Sequence, residues 1–225
     1  MPANRIAPAH AHPARARLSS GERRQEIVRT VLELARERGP DAITTQAIAD
    51  RIGVTQGALF RHFPDKSAIW LAVFEWVRAA LDAAFEAATR DAASPLARLE
   101  RAFLAHVAFV AAHPGVPRAL FHELQYPGDS PVRIAVRSMV GDYRRSVGRL
   151  LDEAKASREI SRQVDTTLAT VLFIGAVQGL VIHAALTGDE GAPARNGRAM
   201  FALLSGGYRG ASAVRRAEKP RARRR

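Results

Sequence analysis

Residues 44–66 read TTQAIADRIGVTQGALFRHFPDK, and the spacing within that stretch decides the fold. Ile48, Ala49 and Ile52 stand at i, i+1 and i+4, one apolar face of a helix over about 45–52. Gly53-Val54 breaks that helix where a tight turn needs a residue without a Cβ. Thr55 then caps a second helix, which carries Ala58, Leu59 and Phe63 inward and leaves Gln56, Gly57, Arg61 and His62 outward. Pro64-Asp65 opens a third helix, with Asp65 as its cap. Two helices joined by a tight turn, the second short and outwardly polar, form the helix-turn-helix that presents a recognition helix to the major groove. An ordinary helical hairpin in an all-helical core shares this periodicity.

Gly39, Thr44, the Ile48-Ala49 pair, Gly53-Val54, and Gly57-Ala58-Leu59-Phe60-Arg61-His62-Phe63 followed by Lys66 closely resemble the amino-terminal domain of TetR-family transcriptional regulators. The resemblance runs over about 22–71, a fifth of the chain, as a dense pattern in fixed register. Beyond Leu71 it is only architectural, because that family's carboxy-terminal domain varies widely. Phe60 stands where the family more often has Tyr, which removes a hydroxyl contact to phosphate and leaves the ring to pack. The resemblance implies an operator-binding homodimer whose variable domain takes a small-molecule effector. It also implies a four-helix bundle across a two-fold axis, made by the helices around 166–187 and 194–208.

The rest of the chain is consistent with an all-α, two-domain protein. Its 225 residues, 47% of them apolar, suffice for a small domain followed by a larger one and exclude global disorder. Without cysteine there are no disulfides, thiolate metal sites or cysteine nucleophiles, which fits a reducing cytoplasm. No apolar h-region occurs in the first eighteen residues, so no secretory signal is expected. The net charge of +12 lies mostly at the two ends. Residues 1–20 hold three arginines and no acid, and 209–225 hold eight basic residues against Glu218. Those ends therefore carry ten of the twelve charges, while 21–66 is nearly neutral. Basic ends add salt-sensitive, sequence-independent attraction to phosphate, or are simply solvated.

Four segments follow: a disordered basic arm at 1–18, the DNA-binding domain at 19–66, an effector-binding and dimerisation domain at 67–211, and a basic tail at 212–225. Ser19 and Glu22 form a capping box for a helix ending near Arg38 at Gly39-Pro40, with Ile27, Val31, Leu34 and Ala35 inward. The helix from Asp65 runs to about Thr89 and buries Ile69, Val73, Trp76, Val77 and Ala80. Pro95 starts another to about His113, and a shorter one spans about 116–125, before the turn Tyr126-Pro127-Gly128. A long amphipathic helix over 131–157 buries Ile134, Val136, Met139, Val140, Tyr143, Val147, Leu150 and Leu151, with Arg144, Arg145 and Arg149 outside. A helix over about 165–186 has no charge from Leu168 to Leu186, and the last helix covers about 194–208. The uncharged span is long enough for a membrane, but Thr170, Gln178 and His183 lie inside it. A helix buried on nearly all sides is the better account, with Gly175, Ala176 and Gly179 admitting a close partner helix. His183, Met200, Leu203 and Leu204 join them as interface candidates.

Side-chain chemistry divides the DNA-binding work. Thr44, Thr45 and Lys66, at helix starts, suit phosphate oxygens, and so does His62. Gln56 suits adenine, Thr55 or Ala58 a thymine methyl, and Gly57 close backbone approach, with Phe60 and Arg61 beside them. The effector candidates are Trp76, Phe103, His106, Phe121, Tyr143, Phe173 and Gln178, aromatic or singly polar residues on apolar faces, each equally suited to filling the core. Neither a cofactor nor a metal is implied. His122-Glu123 lacks the second histidine of a zinc-protease motif because Tyr126 stands there, and no phosphate loop or nucleophile elbow occurs, so no enzyme is expected. The remaining alternative is a nucleoid-coating protein driven by its basic ends. Either reading places the chain in the cytoplasm, on the nucleoid, bound to double-stranded DNA.

Overall fold

The computed structural model describes residues 18–125 and 127–210; all but Leu18 of the arm expected at 1–18, the tail expected at 212–225, Ala211 and Tyr126 lie outside the described residues. Among the described residues there are nine α-helices, one 3-10 turn at Pro40–Ala42, and no strand. In chain order the helices are α1 (Ser20–Glu37), α2 (Thr45–Ile52), α3 (Gln56–Phe60), α4 (Lys66–Thr89) and α5 (Pro95–Ala112). Then come α6 (Gly115–Gln125), α7 (Pro131–Ala156), α8 (Thr166–Thr187) and α9 (Ala192–Gly210).

Most helix starts are fixed by side chains that satisfy amides left without an intrahelical partner. Ser19 Oγ accepts from the Glu22 amide at 3.2 Å while the Glu22 carboxylate accepts from the Ser19 amide at 2.8 Å. Ser94, Ser130 and Asp165 accept from first-turn amides of α5, α7 and α8, and proline occupies the first turn of α5 and α7. Helices α1 to α3 form a head that shares one continuous core with the body through α1 and α4. In the body, α4 packs on α5 and α7, α5 on α9, and α8 on both α7 and α9. Phe103 sits at the centre, its ring edge-on to Phe173 at 5.2 Å and tilted against Phe201 at 5.6 Å.

Several expectations are corrected. Helix α3 ends at Phe60, although Phe63 still turns into the core, its amide donating to the Leu59 carbonyl at 3.2 Å. Ile134 is 57% exposed, because Val132, Val136, Met139, Tyr143 and Val147 set the inward phase and Ile134 lies half a turn away. Arg133 is buried instead. Its Nε donates to the Glu123 carbonyl at 2.8 Å and its Nη1 to the carbonyls of Pro127, at 3.1 Å, and Gly128, which pins the end of α6 to the start of α7.

The largest correction concerns α8. Phe173, Val177 and Leu180 face inward, but Leu168, Val171, Leu172, Ile182 and Leu186 are exposed, Leu186 to 82%. The helix is long and apolar enough to cross a membrane, yet it packs one face against α5, α7 and α9 and leaves the other uncovered by the described residues. An uncharged sequence has no polar stripe, so its periodicity carries no sign of which side is buried.

Candidate nucleic-acid interface and candidate ligand cavity

The head is built by its caps. Thr44 Oγ1 accepts from the Ala47 amide at 3.0 Å, and Thr55 Oγ1 from the Ala58 amide at 3.2 Å. Gly53 turns between the two helices at φ 69°, a left-handed conformation that costs a residue with a Cβ. Ile48, Ala49, Ile52 and Leu59 are buried beneath, so the outer surface is left to polar groups and backbone. Gln56 is exposed, and its Nε2 donates to Thr45 Oγ1 at 2.7 Å, tying the starts of α2 and α3 together. Thr44, Thr55, Gly57 and Arg61 are also exposed, whereas Ala58, His62 and Lys66 are half-buried. A Cβ on Gly57 would meet nothing within 4 Å, so the space above it is open. Phe60 is not packed into the core: the residue is 41% exposed.

Neighbouring groups hold this surface in place. The Arg24 guanidinium lies 4.0 Å over the Phe63 ring and donates to the His62 carbonyl. His62 Nδ1 is 3.4 Å from Ser20 Oγ, and Lys66 Nζ is 3.5 Å from the Pro40 carbonyl. Arg51 forks onto Glu37 at 2.9 and 2.6 Å, and this hydrogen bonding holds the Glu37 carboxyl below its ordinary range.

In the body, α4 to α8 line a partly open cavity of about 120 Å³. Val77 and Leu81 of α4 line it together with Phe109 and Val110 of α5, Leu120 and Leu124 of α6, Met139 and Val140 of α7, and Ile174 and Val181 of α8. Four of the seven effector candidates, His106, Phe121, Tyr143 and Gln178, also line it. Trp76, Phe103 and Phe173 do not: Trp76 packs against Phe109 and His113, and the two phenylalanines meet edge to face in the core. The His106 and Tyr143 rings meet edge to face at 4.9 Å. His106 Nδ1 and Tyr143 Oη are buried without a hydrogen-bond partner among the described residues. Burial lowers the His106 pKa to about 4 and pushes the Tyr143 phenol up, so both rings are uncharged near neutral pH. Among the described residues no Asp, Glu, Lys or Arg lines the cavity. Among the described residues no cluster of His, Asp or Glu is placed to hold a metal ion.

Helix α6 touches both regions. Its Val116, Pro117, Leu120, Phe121 and Leu124 face the cavity. Its Gly115 lies so close to α1 that a Cβ there would stand 2.6 Å from the Leu32 carbonyl oxygen. Arg118 Nη1 donates to the Arg36 carbonyl at 2.6 Å, and His122 Nε2 is 3.3 Å from Asp41 Oδ1.

Residues 27–73 match the family described as "Bacterial regulatory proteins, tetR family", and residues 127–200 match "Tetracyclin repressor-like, C-terminal domain". The chain belongs to the TetR family. It is therefore a DNA-binding regulator with an amino-terminal helix-turn-helix and a helical carboxy-terminal domain. It is 26% identical over 185 residues to the nucleoid occlusion factor SlmA of Vibrio cholerae, covering 81% of this chain and 94% of that one. In fold it is similar to the fatty acid degradation regulator FadR of Bacillus halodurans, with a TM-score of 0.73 and 19% identity over 83% of this chain and 96% of that one. FadR of Bacillus subtilis, solved in complex with stearoyl-CoA, superposes with a TM-score of 0.70 and 19% identity over 81% and 98%.

On this TetR scaffold the uncovered face of α8 and α9 includes Gly175, Gly179 and His183, which are exposed, and Ala176 and Met200, which are half-buried. Leu203 is 75% exposed, but Leu204 is only 6% exposed and belongs to the chain's own core, one helical step away. A Cβ on Gly175 or Gly179 would meet nothing within 4 Å among the described residues. The part played by α6 was missed at the sequence level. Gly115 reads there as a helix boundary, and nothing local reports its close approach to α1.

Proposed function

We propose that the chain is a homodimeric repressor that reads a palindromic operator and is released when an apolar small molecule enters the cavity between α4 and α8. The observation that carries the proposal is the double contact of α6, with one face in the cavity and the other on the head. A guest that shifts α6, or the cavity-lining stretch of α4, changes the spacing of two heads. The Bacillus subtilis FadR, solved in complex with stearoyl-CoA, supports a ligand with a long apolar chain.

Residues 19–66 act as the reading unit and 67–211 as the effector and dimer unit. The uncovered apolar face of α8 and α9 meets its two-fold mate, with Gly175 and Gly179 admitting the partner helix closely. One recognition helix as short as α3 reaches few base pairs, so two half-sites about 34 Å apart are needed for tight binding. Thr44, Lys66, Arg61 and His62 hold phosphates, Gln56 pairs with adenine, and Thr55, Ala58 and the exposed Phe60 ring meet thymine methyls or sugar. Gly57 lets the backbone approach.

Selection of bound sites from a random DNA pool tests this directly, and a palindrome with that spacing is the expected product. Gln56→Ala should change which operator positions are discriminated, while Lys66→Ala should weaken all DNA about equally and reduce the salt slope by about one. Loss of affinity in both variants with an unchanged sequence preference would remove Gln56 from base readout. The likeness to a nucleoid occlusion factor supports a second reading, a coating protein. Excess bulk DNA separates the two, because an operator reader keeps its site and a coating protein is titrated away.

A further inference from the structure

We infer that the cavity selects molecules whose buried end carries an uncharged hydrogen-bonding group, a hydroxyl or a carbonyl, on an apolar body, and rejects carboxylates and amines. The inference rests on the reading of this cavity as the ligand site and specifies what enters it.

Three features of the lining carry it. The wall is hydrocarbon over most of its extent, contributed by five helices. Two of the lining residues carry buried polar atoms with no partner among the described residues, His106 Nδ1 and Tyr143 Oη, on rings in edge-to-face contact at 4.9 Å. Tyr143 is only 6% exposed, so its hydroxyl cannot turn out to bulk water for compensation. Buried polar groups are normally satisfied, and a pair left open beside a cavity is completed by whatever fills it. The Gln178 amide adds both a donor and an acceptor to the lining.

The third feature is the absence of countercharge. Across α4, α5, α6, α7 and α8 the only titratable groups that line the cavity are His106 and Tyr143, and both are neutral near pH 7. A carboxylate or ammonium placed there would lose its hydration and find no opposite charge to replace it. A hydroxyl or carbonyl exchanges hydrogen bonds with water for hydrogen bonds with Tyr143 and His106, while the rest of the molecule leaves water. The neutral group supplies orientation and the apolar body supplies affinity.

The test uses the full-length protein and two matched series, decan-1-ol with decanoate, and naphthalene with 2-naphthol and 2-naphthoate. Binding is read by calorimetry between pH 6 and 8. The alcohols should bind with affinity independent of pH. A carboxyl group with a pKa of about 4 to 5 has to enter protonated, so the carboxylates should weaken about tenfold per pH unit and bind more than about a hundredfold less tightly than the alcohols at pH 7.5. Tyr143→Phe should lower the affinity for decan-1-ol and 2-naphthol about tenfold while leaving naphthalene unchanged. If that variant does not fold, Gln178→Leu gives the same contrast between naphthol and naphthalene. Carboxylates binding as tightly as the alcohols, with no pH slope, would overturn the selection and leave the cavity reading intact. Failure of every probe to bind would remove the ligand-responsive reading, and the inference with it.

Discussion

The head and the cavity handle polar groups in opposite ways. At the surface of the head, long polar side chains already have partners inside the protein: Gln56 on Thr45, Gln46 on Asp50, Arg51 on Glu37. Water could have satisfied each of them, so these bonds serve to hold the side chains in one arrangement. Among the residues that line the cavity, where an open buried polar atom is costly, His106 Nδ1 and Tyr143 Oη have no partner among the described residues. The head is organised before DNA arrives; under the proposed function, the cavity is completed by a guest. A regulator needs this asymmetry, because one surface must read without rearranging and the other must gain enough from binding to rearrange something else.

The contrast is broken most severely by confusing core with cavity wall. Phe103 and Phe121 both stand out in the sequence as aromatic residues on apolar faces, yet only Phe121 lines the cavity. Phe103 is fully buried between Phe173 and Phe201. Phe103→Ala should cost about 3–5 kcal/mol in denaturant unfolding, and Phe121→Ala about 1 kcal/mol or less, because its site is already partly empty. Equal costs would mean that the wall is as tightly packed as the core and that the cavity has no room for a guest.

Next in size comes the joint between the two regions. A methyl group on Gly115 would stand 2.6 Å from the Leu32 carbonyl and 2.9 Å from the Ala35 Cβ, and neither the backbone nor a β-carbon can swing aside. Gly115→Ala should therefore push α6 off α1 and cost about 1–3 kcal/mol. It should also shrink the effect of any bound ligand on DNA affinity, measured as the ratio of operator dissociation constants with and without ligand. An unchanged ratio in a folded variant would move the coupling from α6 to α4.

How much of this was legible follows from how local each feature is. The helix-turn-helix was readable because its signals lie within a few residues: a capping threonine, a glycine able to adopt positive φ, apolar residues at i and i+4. The observed bounds of α2, Thr45–Ile52, fall where that spacing puts them. Amphipathic helices were readable for the same reason, with Ile134 the exception, since an isoleucine off the stripe looks like one on it until the phase is counted from Val136 and Tyr143. The cavity was half legible. Residues such as His106 and Gln178 are conspicuous on apolar faces, but whether an aromatic ring fills the core, like Phe173, or borders empty space, like Phe121, depends on helices far away in sequence. Two-sided apolar character hid the open face of α8, and the close approach at Gly115 has no local sign.

Thr45 tests the head at its finest grain. It opens α2, where the sequence suggests a phosphate contact, but in the folded head its Oγ1 accepts a hydrogen bond from Gln56 Nε2 at 2.7 Å. An amide nitrogen has two protons. Giving one to Thr45 leaves the other, together with Oε1, for the N7 and N6 edge of adenine. Thr45 is on this account a positioning residue that selects the Gln56 rotamer before DNA binds. Thr45→Val keeps the shape and removes the acceptor, so stability should change by less than about 0.5 kcal/mol. Preference at the Gln56-read position should fall by about 0.5–1 kcal/mol as the freed side chain regains rotamers that binding must then freeze. Thr45→Ser restores an oxygen and should restore the preference. If Thr45 instead holds a phosphate, Thr45→Val weakens every sequence alike, and binding to specific and random duplexes across a salt series shows the difference.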